Sequence, residues 1–116
     1  MHNYLKMRVY MRAVHLTVQV YRLTTHLPRE EEFGLRSQMR RAAVSVCLNI
    51  AEGSGASSNR EFGRFLDIAR RSLYEIQACF QIAFRLDLLV NGDCAAAVQE
   101  TSELAAMIND FRKQLR

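Results

Sequence analysis

Apolar residues recur along this chain in alternating steps of four and three, in four separate runs. Val9, Ala13, Leu16, Val20, Leu23 and Leu27 form the first. Leu35, Met39, Ala42, Val46, Asn49 and Gly53 form the second, with the polar Asn49 in an otherwise apolar seam. Phe62, Leu66, Ala69, Leu73, Ile76, Phe80 and Ala83 make the longest unbroken run, and Ala97, Thr101, Leu104, Ile108, Phe111 and Leu115 make the last. Spacing of this kind puts one narrow stripe on one face of an α-helix, the geometry of a bundle seam.

The breaks between runs carry turn chemistry. Pro28 disfavours helical geometry at Leu27, and the acids Glu30 to Glu32 suit the start of a second helix. Asn91-Gly92-Asp93 is a turn signal between the third and fourth runs. Helices are therefore predicted over about residues 4–26, 32–54, 58–87 and 93–115. Short connections between long helices argue for an all-α, antiparallel up-down-up-down four-helix bundle, one domain over residues 1–116, with neighbours crossing at about 20°.

The stretch from Asn49 to Phe62, NIAEGSGASSNREF, invites a phosphate-loop reading, but no Lys follows its glycines and no strand precedes it. A helical hairpin fits better: Gly53 or Gly55 in the left-handed conformation to end one helix, and Ser58 with Glu61 as a capping box to start the next. A hairpin turning near residues 55–57 would set Asn49 opposite Phe62 and bring Arg40 and Arg41 level with Arg70 and Arg71. Asn49 and Glu52, three apart on one helix face, would then satisfy each other, Arg60 or free backbone groups, and so fix the register.

Composition narrows the class. At 49% hydrophobic residues, with one proline and no tryptophan, the chain is helical and globular rather than disordered. Cys47, Cys79 and Cys94 are odd in number and sit in or beside apolar helical patterns, so free thiols are expected. Charges interrupt every apolar run near the N-terminus, and no run of about 18 apolar residues exists for a membrane span, so a cytoplasmic protein without membrane contact is expected.

Catalytic chemistry finds no constellation. His2, His15 and His26 lie in or near the first helix, none follows an acid by three, and the cysteines lack paired zinc-ligand spacing. No catalytic residue, metal site or cofactor is expected, and the protein is read as not an enzyme.

Charge is more informative. Fourteen of the sixteen basic residues are arginine. Residues 36–71 carry seven arginines against three acids, whereas residues 86–111 carry five acids and no base. Arg36, Arg40, Arg41, Arg64, Arg70 and Arg71 are candidate phosphate contacts, since clustered arginine forks suit phosphate and release counterions. A solvated helix surface would have the same composition, and Glu61, Asp67 and Glu75 stand one turn from several of these arginines. Val14, Val18 and Tyr21 lie outside the first seam, and Val44 and Leu48 outside the second. Left wet in a monomer, these second stripes predict self-association.

The segments LRSQMRRAAVSVCLNIAEGSG and EFGRFLDIARRSLYEI, with TTHLPREEEFG ahead of them, resemble the small bacterial four-helix-bundle proteins encoded in intervening sequences of large-subunit ribosomal RNA genes. The likeness spans about residues 20–90. It places the family signature on Asn49, Ile50, Ala51, Glu52 and Gly53, then on Phe62, Phe65, Leu66, Ala69, Ser72, Leu73 and Glu75, with Asn49, Glu52 and Glu75 as the candidate structural polar residues. The chain departs from the pattern at Cys47, where proline is frequent, and at Arg71, where a small residue is usual. Distant relatives of that family, the accessory variability proteins of diversity-generating retroelements, are pentameric rings that bind nucleic acid. The resemblance thus implies a homopentamer, and the arginine clusters point to a ring-forming bundle that binds RNA or DNA weakly and without sequence preference. The alternative is a structural or protein-interaction module that binds no nucleic acid.

Overall fold

The computed structural model describes residues 3, 4 and 7–115. Four helices account for most of them: α1 (Arg8–Thr24), α2 (Leu35–Ser54), α3 (Asn59–Arg85) and α4 (Asn91–Gln114), with a 3-10 turn at Arg29–Glu31 and no strand among the described residues. Cross-helix contacts fix the topology. Thr17 meets Ala43 and Cys47 while Thr24, further along α1, meets Arg40, earlier in α2. Gln38 meets Glu75 while Ser45 meets Ser72, and Gln77 meets Ser102 while Arg70 meets Asn109. Each pair runs in opposite order, so successive helices are antiparallel, and Arg12 closes the square by bonding Glu100 of α4. The result is an up-down-up-down bundle of 44 × 22 × 20 Å.

The core follows the seams. All seven third-run residues are buried, as are Val9, Ala13, Leu16, Val20, Met39, Ala42, Val46, Ala97, Thr101, Leu104 and Ile108. Leu23, Leu35 and Phe111, near helix ends, are half-buried. Gly53 is in the seam for lack of space: a Cβ there would stand 2.7 Å from Phe65 Cβ and 2.8 Å from Phe62 Cδ1.

Helix ends differ from the predicted ones where side chains replace backbone partners. Of the first turn predicted for α1, residues 5 and 6 lie outside the described residues. The helix ends at Thr24, where Thr24 Oγ1 donates to Val20 O at 2.7 Å and Thr25 Oγ1 to Tyr21 O at 2.9 Å. The acids Glu30 to Glu32 do not open α2. They build the 3-10 turn before it, and the Glu31 carboxylate accepts from Leu35 N–H at 2.9 Å.

Neither Gly53 nor Gly55 is left-handed; Asp87, at φ 56°, is the one described residue with positive φ. Leu88 N–H reaches Ala83 O at 2.9 Å and Asp87 N–H reaches Phe84 O at 3.0 Å, the paired bonds of a Schellman ending with Asp87 at the position glycine usually holds. The chain therefore reverses between Leu86 and Val90, and Asn91-Gly92-Asp93 forms the first turn of α4, where the Asp93 carboxylate suits the positive end of the helix dipole. At the other hairpin Ser58 Oγ accepts from Glu61 N–H at 3.1 Å, the expected N-cap. The register there is later than predicted. The connection is centred on Gly55–Ser58, and Ser45 faces Ser72 where the predicted register placed Leu66.

Candidate nucleic-acid interface

The six candidate arginines fall into three settings. Arg36 and Arg40 point back over the end of α1. Arg36 Nε donates to Thr24 O at 3.0 Å, and its terminal nitrogen to Leu27 O. Arg40 donates to Thr24 Oγ1 at 2.9 Å and Tyr21 O at 3.1 Å, with its guanidinium 4.6 Å from the Tyr21 ring centre. Both cap the negative end of α1, which leaves less of each fork for a phosphate. Arg41 is exposed beside them, and all three line an open cleft of about 710 Å³ on the outer face of α2, with Tyr21, Val44 and Leu48.

Arg70 lies on the opposite flank, between α3 and α4. It donates to Asn109 Oδ1 at 3.1 Å and stands 3.7 Å from Asp67, which Arg112 also holds at 2.8 Å. The hydrogen bond from Arg112 to Asp67 and the proximity of that carboxylate raise the Arg112 pKa. Arg12 makes a matching clamp on α4, 2.8 Å from Glu100 and 3.5 Å from Glu103, and the hydrogen bond to Glu100 raises its pKa against the opposing effect of burial. The Arg12 and Arg112 clamps were not legible from spacing along one helix, because each partner lies on another element.

Arg64 and Arg71 remain. Both are exposed, as are Arg60 and Arg85. Offsets of four, seven and fourteen residues keep these four within one stripe of α3. Glu75, four residues beyond Arg71, bonds Gln38 of α2, which sets the stripe on the α2 side. Among the described residues none of the four is in an ion pair; of the acids expected to pair one turn away, Asp67 does so with Arg70 and also holds Arg112, Glu75 bonds Gln38, and Glu61 is exposed three residues before Arg64. Arg36 and Arg40 thus cap α1, Arg70 is held by Asn109 and Asp67, and Arg41, Arg64 and Arg71 stay exposed and outside any ion pair among the described residues.

Asn49 is half-buried, and its amide donates to Ser45 O at 2.8 Å and Ser45 Oγ at 3.0 Å. Ser45 Oγ in turn shares a proton with Ser72 Oγ at 3.1 Å, so a short polar track crosses from α2 to α3. The partners expected for Asn49, namely Glu52, Arg60 or free backbone groups at the helix ends, are replaced by Ser45 one turn earlier on the same helix, and the α2–α3 register adds Ser72. Glu52 is exposed, and its carboxylate has no partner among the described residues. The serines were the missed members, since a serine beside a seam reads as surface until its partner helix is placed.

Val14, Val18, Tyr21 and Leu48 are exposed as predicted, and Val44 is half-buried. The cysteines are free; Cys79 and Cys94 are buried and Cys47 is half-buried, its sulfur 3.2 Å from Thr17 Oγ1. Burial raises all three thiol pKa values, opposed at Cys47 by that hydrogen bond. Among the described residues no group of three or more His, Cys, Asp or Glu could hold a metal ion, and no helix is long and apolar enough to cross a membrane.

This arrangement has counterparts. A crystal structure of a protein of unknown function from the S23 ribosomal protein family of Bacteroides thetaiotaomicron superposes with a TM-score of 0.81 at 19% identity, covering 90% of this chain and 98% of that one. That likeness shows the four-helix fold. No curated protein matches the chain. The 23S rRNA-intervening sequence proteins match residues 5–110, nearly the whole length, and the chain belongs to that family.

Proposed function

We propose that this protein is a non-enzymatic, ring-forming four-helix bundle that binds nucleic acid weakly and without sequence preference through the exposed arginines of α3. The carrying observation is the stripe Arg60, Arg64, Arg71 and Arg85, exposed and outside any ion pair among the described residues, in a protein that neutralises Arg12, Arg70 and Arg112 internally. Seven residues of helix advance about 10 Å, so the stripe offers successive forks along a backbone rather than one pocket for one phosphate. No aromatic ring is exposed between Arg60 and Arg71 on α3, whereas Tyr74 and Phe84 are exposed between Arg71 and Arg85, so backbone contact is favoured at the first part of the stripe and stacking has rings only at the second. The exposed Val14, Val18 and Leu48 support self-association, and a ring repeats the stripe so that each further contact becomes intramolecular. A homopentamer is the ring the family resemblance implies, and the names of the family and of the structural neighbour make ribosomal RNA the first polyanion to try.

The test is a paired charge reversal, Arg64→Glu with Arg71→Glu, read by fluorescence anisotropy on labelled RNA and DNA. Both side chains are exposed, so circular dichroism and sedimentation should not change. Affinity should fall for every sequence alike. Equal binding by the variant would move the reading to the protein-interaction module.

A further inference from the structure

Phe33 is 91% exposed, the highest value among the large apolar side chains of the described residues. Its place is not a loose one. The Arg29–Glu31 turn precedes it, Gly34 N–H bonds Glu31 O at 3.2 Å, and the Glu31 carboxylate ties the turn to Leu35 N–H at 2.9 Å. An aromatic ring held outward in this way loses the hydrophobic gain of burial unless something covers it. Glu30 within this turn and Glu32 at its end put negative charge beside the ring.

The complementary chemistry lies on the same chain. The cleft on the outer face of α2 has an apolar floor of Tyr21, Val44 and Leu48, with Leu48 53% exposed, and a rim carrying Arg36, Arg40 and Arg41. Bonds to the end of α1 already hold Arg36 and Arg40 in place, so little side-chain entropy remains to be lost when the cleft is filled. Glu32 and Glu52 mark its two ends and leave the arginines between them. The chain's own Phe33 does not enter it.

We propose that Phe33 of one copy seats in the Tyr21–Val44–Leu48 cleft of a second copy, with Glu30 and Glu32 meeting Arg40 and Arg41. Knob and cleft are different residues, so one copy can give its Phe33 to one neighbour and receive that of another, a heterologous arrangement of the kind that closes into rings when the rotation allows. The inference rests on the self-assembly reading above and deepens it by naming the contact. It also assigns Arg36, Arg40 and Arg41 to assembly and leaves Arg60, Arg64, Arg71 and Arg85 for nucleic acid.

Sedimentation velocity on the full chain tests it with wild type, Phe33→Ala, Leu48→Glu and an equimolar mixture of the two variants. Each variant alone should dissociate about thirtyfold more readily than wild type, the loss typical of a central aromatic anchor, with unchanged helicity. The mixture should recover a one-to-one pair, because the Leu48→Glu copy still offers Phe33 and the Phe33→Ala copy still offers an intact cleft. A wild-type chain that stays monomeric at micromolar concentration overturns the assembly reading and this contact with it. A wild type that assembles while both variants assemble equally well, or a mixture that forms no pair, overturns this contact alone.

Discussion

Gly53 shows how one residue can hold two helices at a fixed separation. Its position in the second seam is plain from spacing, but the reason for glycine lies across the interface, in the Phe62 ring and the Phe65 Cβ. Alanine is the better helix former by about 1 kcal/mol, yet its Cβ would meet both side chains well inside van der Waals contact. Overpacking of this kind typically costs about 1–3 kcal/mol, so Gly53→Ala should lower stability in urea unfolding despite the gain in propensity. The same dependence on a neighbouring helix holds at Asn49. Its anomaly in an apolar seam is legible, and Ser45 stands one turn before it on the same helix, but the onward bond from Ser45 to Ser72 is not legible, because it exists only once α3 is placed against α2.

At the scale of elements, periodicity located all four helices, since their burial repeats at helical spacing and little else competes for those residues. Their ends were harder. Asn91-Gly92-Asp93 reads as a turn by composition, yet Asp87 supplies the left-handed residue and Val90 precedes the new helix. An L-residue in that conformation costs roughly 1–2 kcal/mol, less for aspartate, and glycine avoids the cost while adding entropy to the unfolded chain. Asp87→Gly should therefore stabilise the bundle by about 0.5 kcal/mol, visible as a higher urea midpoint with an unchanged slope. The six candidate arginines could not be sorted by spacing either. Whether an arginine faces solvent or caps a neighbour depends on helix ends such as Thr24, whose carbonyl and hydroxyl take Arg36 and Arg40.

Across the whole molecule the arginines divide by role. Arg12, Arg70 and Arg112 bind helices together, Arg36 and Arg40 seal the end of α1, and the α3 stripe faces outward. Under the proposed function, phosphate contact along the stripe gains from counterion release. The most direct measurement is the salt dependence of RNA binding by the wild-type chain, titrated from about 50 mM to about 200 mM monovalent salt. Engagement of all four stripe arginines in one copy predicts a slope of log K against log salt near −2.8 or steeper, at about 0.7 for each single-strand contact. The slope should become shallower in step with each arginine removed from the stripe. A flat titration, or no binding to RNA or DNA at about 50 mM salt, would contradict the assignment of the α3 stripe to nucleic acid.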